Sequence, residues 1–579
     1  MKIAKRDAIS FYYEKQTMEH KAAGIWTCKK CKQTKKCKAG YSNLYHHLEA
    51  CVGMDYMVSL QTFVDNQPST SVRISKKQLA LDSFFLGSPK ELRALAWIKW
   101  ICCRNMPICE IDNPITREFA GVEAFNSKTI RKYIINTARE CESSIAKALK
   151  AAGVITLIFD GWSCDGASTH YVGMFAGYID PRTSEYKEPL LAIQPCLNEE
   201  DMGADSHIEL FESTLALYGL DAGSVACFIS DNCATNKAIS REWGVPMVGC
   251  ASHRLNLAVN AWINNEPGLT QALKSLTTFM SKASCLKAAA ALRVQTMDTH
   301  GKCLKAKQNN ETRWTSVMDM VDRFIKIEAD LNAIPSLRPY KLSKQVSKLL
   351  HDTYHAHFVG FRHITKVLQD PMQCDLALVR HLFDMLLQED IDYEDCMKQY
   401  LRANAPIVAS PEFESGVVKI LNGEVLTTVE AAATRKLKKT RQPTLAARST
   451  AATAAQASGS GGATRSTLSD KASAIIHKHK KQKTAGDESN KKANQDYVDV
   501  GKLVAATSNA CERLFSEAKY VMVPHRRGMD PALFEAILFL KKNLEYWNIR
   551  TVAAGIRSSP DEEDDEDDEE EADEDEEQP

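Results

Sequence analysis

The run from Val154 to Phe159 (Val-Ile-Thr-Leu-Ile-Phe) constrains the fold more than any other part of the chain. It is apolar throughout and rich in β-branched residues. Gly153 bounds it on one side and Asp160-Gly161-Trp162 on the other. A run without polar alternation reads as a strand buried on both faces, which requires a sheet with helices on either side. Its last position places a carboxylate, Asp160, on a rigid element at the rim of that sheet. A second run, Val225 to Ser230, ends the same way in Asp231. Two acids at strand ends suit a hard divalent cation, Mg²⁺ or Mn²⁺, that shares its oxygen shell with phosphate. The competing reading is that each aspartate only caps the turn after its strand.

Between the two runs, residues 170–180 and 190–193 are strand-like and 207–219 is helical in pattern, so the expected order is three strands, a helix and a strand. Residues 77–104 and 127–151 carry apolar residues at spacings of three and four, as amphipathic helices do. Asn126 or Ser127 stands ready to cap the second. Trp97 and Trp100 share one helix face and read as core. At the other end, residues 532–547 form a helix too apolar for one-sided burial.

Near the N-terminus, Cys28-Lys29-Lys30-Cys31 precedes a basic loop and the segment Asn43 to Cys51. Two thiols, then a histidine and a thiol one helical turn apart, suit tetrahedral zinc, with Cys28, Cys31, His47 and Cys51 as the set. His46 is an alternative to His47. Seven lysines surround the ligands, as expected of a segment that contacts a DNA backbone.

Sixteen of the 74 acidic residues fall in 561–577, so the rest of the chain carries 58 acids against 73 Lys and Arg. Without its tail the protein is strongly basic, which favours a polyanionic partner. The tail itself suits basic proteins, or competition with DNA for the basic surface. Met1 to Arg6 leads into no apolar stretch, and no run approaches the ~20 residues that span a bilayer. Eighteen cysteines then imply reduced thiols in a nuclear or cytosolic protein.

Further pieces complete a recognisable series: Cys250-Ala251-Ser252-His253, then Thr312-Arg313-Trp314, then Ser508-Asn509-Ala510-Cys511-Glu512-Arg513-Leu514-Phe515-Ser516. In that order, behind Asp160 and Asp231 and a Trp26-led Cys-Cys-His-Cys segment, the chain resembles an hAT-superfamily DNA transposase with a BED-type zinc finger. The resemblance spans about residues 20 to 550. It implies an α/β fold with an RNase H-like catalytic core interrupted by a helical insertion. It implies that Asp160, Asp231 and Glu512 hold Mg²⁺ or Mn²⁺ for DNA strand cleavage and transfer in the nucleus. It further implies that Cys250 and His253 lie near the DNA, that Arg313 neutralises a phosphate, that Trp314 stacks on a base, and that a C-terminal region forms a homodimer. The corresponding division is a finger at 1–54, a linker at 55–76, a helical DNA-binding or dimerisation region at 77–150, the core at 151–320 and the insertion at 321–429. A disordered basic linker (430–495), the end of the core with the dimerisation region (496–550) and a disordered acidic tail (551–579) follow. The alternative function is a catalytically inactive, transposase-derived nuclear regulator of transcription that keeps the finger and the dimer.

Overall fold

A computed structural model describes residues 13–16, 24–31, 33–37, 42–51, 88–120, 125–163, 169–196, 202–309, 314–370, 374–389, 391–439, 467–485, 496–523, 526 and 528–558. The linker expected at 55–76, the first part of the helix expected from 77, Arg313 and the acidic stretch 561–577 lie outside them. The chain divides into two compact units, one formed from 1–144 and 528–579 and the other from 145–527.

In the first unit, β1 (Tyr13–Gln16), β2 (Gly24–Cys28) and β3 (Thr34–Cys37) form an antiparallel sheet in sequence order, accompanied by α1 (Ser42–Cys51). Its core is small: Tyr13, Cys28, Leu44 and Leu48 are buried, and the Tyr13 hydroxyl donates to the Leu44 carbonyl at 2.9 Å. Next come α2 (Pro89–Arg104), α3 (Pro114–Ala120) and α4 (Ser127–Ala152). Ser88 and Glu91 form a reciprocal capping box at the start of α2. Asn126 caps α4 by accepting from the Thr129 amide at 2.7 Å. Trp97 is core as expected, but its stacking neighbour Trp100 is 38% exposed.

The second unit is built on a mixed six-stranded sheet of β4 (Ile155–Ser163), β5 (His170–Ile179), β6 (Tyr186–Lys187), β7 (Leu190–Pro195), β8 (Val225–Ser230) and β9 (Met247–Gly249). The order is β6-β5-β4-β8-β9, with β7 also paired to β5. β5 runs antiparallel to β4 and to β7, whereas β4, β8 and β9 are parallel. The expected strands, and α5 (Ala204–Leu217) between β7 and β8, are therefore all present. Phe159 and Phe228 project to one face, where they meet Phe211 of α5 and Trp243 of α6 (Ala234–Trp243).

Beyond β9 the unit is helical. It comprises α7 (Ala251–Asn265), α8 (Leu269–Ala283), α9 (Leu286–His300), α10 (Trp314–Ala333), α11 (Lys344–Thr353), α12 (Val359–Leu368), α13 (Leu376–Glu389), α14 (Ile391–Leu401), α15 (Pro411–Asn422) and α16 (Thr428–Ala433). Residues 430–495 are not one unstructured linker. Lys438 bridges to Tyr497, and Leu468–Ala485 forms α17 against α12 and α13, with His479 bonded to buried Asp375 at 3.2 Å. Lys436 of the basic patch at 435–441 is turned inward, its ammonium donating to the Ala222 and Val225 carbonyls at 2.8 Å. The apolar side chains of both segments reach cores that composition does not reveal.

After α18 (Val500–Leu503), α19 (Asn509–Val521) returns to the sheet. Residues expected to follow it as one region do not. α20 (Pro531–Lys542) and α21 (Ile549–Arg557) belong to the first unit and pack on α2. All-round burial of α20, with Phe534, Leu538 and Leu540 at zero exposure, is thus supplied within the chain.

Candidate functional site

The N-terminal segment brings four candidate ligand side chains together. Cys28 ends β2, and Cys31 follows in a tight turn closed by the Cys28 amide on the Gln33 carbonyl at 2.8 Å. His47 and Cys51 lie one turn apart on α1. One ligand atom from each of the four falls within 4.8 Å of the others, and Cys31 Sγ stands 3.2 Å from His47 Nε2. His46 is not in the set: its side chain is 80% exposed and pairs with Glu49 at 3.5 Å. Burial and the neighbouring thiols push Cys51 up to about 11, so the crowded thiols resist ionising together until a cation joins them. Three thiols and an imidazole at this spacing can hold zinc.

The second site lies at one end of the large sheet. The register pairs Ile158 of β4 with Ile229 of β8, so Asp160, inside β4 rather than at its end, and Asp231, the first residue past β8, stand at the same level of adjacent parallel strands. Asp160 is opposite Gly173 of β5 in the ladder. A Cβ at Gly173 would stand 2.9 Å from Leu514 Cδ2 and 3.1 Å from Phe515 Cε1, so glycine here lets α19 lie directly on the strands. Cys511 Sγ reaches the Ile158 and Gly173 carbonyls at 3.9 and 3.6 Å, and Phe515 stacks on Trp162. α19 therefore covers the face that carries Asp160, with Glu512 in its first turn.

Cys250 ties these pieces together. It is the N-terminal cap residue of α7; its amide donates to the Ser230 carbonyl at 2.8 Å and its thiol accepts from the Ser508 amide at 3.5 Å. Ala251 donates to the Ala506 carbonyl. The start of α7, the end of β8 and the start of α19 are thereby fastened to one another. Burial pushes the Cys250 thiol up, with the Glu512 charge adding to it. Burial also raises Cys511, with Asp160 and Glu188 adding. Both stay neutral thiols, which suits structural roles rather than metal ligation. His253 lies in the first turn of α7.

Each aspartate also serves its local backbone. Asp160 Oδ1 accepts from the Gly161 amide at 2.9 Å. Asp231 Oδ1 accepts from the Cys233 amide at 3.4 Å and from Asn236 Nδ2 at 2.6 Å, so the turn-capping reading holds for that oxygen. Asp160 and Asp231 stand on neighbouring strands and Glu512 on the helix that lies over β4 and β5, but among the described residues only Cys28, Cys31, His47 and Cys51 gather three or more ligand atoms within 4.8 Å. Trp314 departs from expectation. It opens α10 at 2% exposure and packs edge-on against Phe361, which leaves no ring face for a base.

Two asparagines escaped the reading of the sequence. Asn236 holds Asp231. Asn509, three residues before Glu512, is 7% exposed with neither carboxamide atom bonded among the described residues. The first was detectable in principle, as an amide one helical turn into the helix that follows a strand-end acid; the second has no such signature. Compared with known proteins, the chain matches no family model and no curated protein.

Proposed function

We propose that this chain is an hAT-type transposase: a zinc-finger DNA-binding protein whose large sheet carries a divalent-metal site for cleaving and joining DNA strands. The observation that carries this reading is the register that sets Asp160 beside the exit of β8 at Asp231, with the helix of Glu512 lying on β4 and β5. These positions are separated by up to 352 residues in sequence. The sheet order supports it too. Three antiparallel strands followed by two parallel ones, with the acids on the first and fourth major strands, is the arrangement expected of an RNase H-like core.

The donor set fits Mg²⁺ or Mn²⁺, because carboxylates are its hard oxygen ligands and the nearby thiols are neutral. Asp160, Asp231 and Glu512 would hold it. When bound, such ions activate the attacking oxygen and stabilise the leaving one. The protein's own part is to fix the acids on rigid elements and to present helix starts, with their positive ends, toward a phosphate. Zinc in the finger, and the lysines around it, would supply binding to double-stranded DNA in the nucleus. A homodimer remains part of the proposal, though α20 gives it no support, its apolar side chains being covered within the chain.

A second reading, an inactive transposase-derived DNA-binding regulator, is favoured by one observation: the three carboxylates are not gathered into a ready-made ligand cluster. Incubating the protein with Mg²⁺ and a duplex carrying the inverted repeats that flank its own coding sequence separates the two. Cleavage abolished in Asp160→Ala is expected. Binding of that duplex with no cleavage in Mg²⁺ or Mn²⁺ would establish the regulator instead.

A further inference from the structure

Asn236 lies in the first turn of α6 and is 7% exposed. Its Nδ2 donates to three acceptors at the end of β8: Ser230 Oγ at 2.8 Å, the Asp231 carbonyl at 3.2 Å and Asp231 Oδ1 at 2.6 Å. The bonds from Asn236 and from the Cys233 amide both fall on Oδ1, so one oxygen of Asp231 is fully engaged by the protein, and the Cys233 thiol is a further neighbour of the same carboxylate. A carboxylate held through one oxygen cannot swing about its terminal torsion, so the other oxygen has a set direction.

Helix α6 needs none of this for its own start. Its first turn is capped by Cys233, whose thiol accepts from the Asn236 amide at 3.4 Å, so the Asn236 side chain is left over for the acid. Ordering a ligand from behind in this way is the task of outer-shell residues at metal sites, and losing one weakens metal binding by about 10- to 100-fold.

We infer that Asn236 is the positioning residue of the sheet site: it clamps Oδ1 of Asp231 and so aims Oδ2 at a divalent cation. The inference rests on the metal-dependent reading of that site. It concerns a residue that would touch neither metal nor DNA.

The test uses the full chain with its finger loaded with zinc, and Mn²⁺ as the probe, free ion being followed by electron paramagnetic resonance. The wild type is expected to bind Mn²⁺ and Asp231→Ala to lose that binding. Asn236→Ala is expected to weaken it about tenfold or more. Ser230→Ala removes another acceptor of Asn236 but leaves the bond to Asp231, and is expected to bind as the wild type does. If Asn236→Ala fails to show the wild-type thermal transition, Asn236→Ser replaces it; its hydroxyl is too short to reach Oδ1, so the same weakening is expected. Asn236 variants binding within twofold of the wild type would overturn the inference and leave the metal site standing. Equal weakening in Ser230→Ala would overturn it as well, by pointing to a general loosening of the strand end. Mn²⁺ binding that Asp160→Ala and Asp231→Ala leave unchanged would instead remove the sheet site itself.

Discussion

Trp314 illustrates how far surroundings decide what a side chain can do. An indole in an Arg-Trp pair reads as a stacking platform, yet this one is enclosed against Phe361 and its amide is bonded to Asn256 Oδ1 at 3.2 Å. Removing so large a buried ring costs ~3–5 kcal/mol, whereas loss of an exposed one costs within ~0.5 kcal/mol. Trp314→Ala should therefore lower stability by several kcal/mol in urea unfolding; a change below 1 kcal/mol would return the ring to the surface. Glu430 makes a second prediction at this scale. Burial raises its pKa, but Lys419 at 2.9 Å, the Thr427 amide at 2.8 Å and Ser415 Oγ at 2.7 Å outweigh that and hold the carboxyl at about 2. A depressed carboxyl stabilises the folded state above its unfolded pKa and loses that contribution as pH falls toward its folded value. Glu430→Gln should thus cost ~1–2 kcal/mol near pH 6, and the difference from wild type should shrink steadily from pH 4.5 down to pH 2. An equal difference at pH 6 and pH 2.5 would show that charge plays no part.

Among the elements, those whose partners are near in sequence, or whose burial is complete, were legible in the chain. β8 occupies its expected residues 225–230, and β4 and α4 lie within a few residues of expectation, because a two-sided apolar run or a long amphipathic stripe identifies itself. α17 was hidden, because eleven of its eighteen residues are Lys, His, Ser, Thr or Gln and its few apolar positions, such as Ala472 and Ile476, are covered by distant helices. α20 was visible as a helix but not its neighbour, since nothing local says that residues 89–104 will cover residues 531–542. The site divides likewise: Asp231 announces itself at a strand end and Asp160 at the end of an apolar run, although β4 continues past it to Ser163, whereas Asn509 and the burial of Trp314 arise only from packing. The C-terminal join yields a test at this scale. Asn136 Nδ2 donates to the Gly555 carbonyl at 3.1 Å, and a Cβ at Gly555 would stand 2.9 Å from the Thr137 amide nitrogen and 3.1 Å from the Asn136 carbonyl carbon. These are backbone atoms of a long helix and cannot turn aside. Gly555→Ala, although it favours helix intrinsically, should destabilise by ~1–3 kcal/mol and speed amide exchange in α21. A stabilised variant would mean that α21 does not approach α4 so closely.

For the molecule as a whole, the governing quantity is the separation of charge along the chain. A formal net charge of −1 is the sum of a basic body and sixteen acids crowded into residues 561–577. Removing that stretch leaves a protein of about +15, and a polyanion such as DNA responds to the field of the whole surface rather than to any single contact. The acidic stretch lowers that field by its charge alone, wherever it lies. Deletion of 561–579 should therefore tighten binding to a fixed duplex about tenfold at ~0.05 M salt, as measured by fluorescence anisotropy. The two affinities should draw together as salt rises and the screening length falls to a few ångströms at ~1 M. A gap that persisted at high salt would mean that the stretch blocks DNA by specific contact rather than by charge. Equal affinities at low salt would mean that the basic surface of the body is not the one DNA uses, and the DNA-binding half of the proposal would then rest on the finger alone.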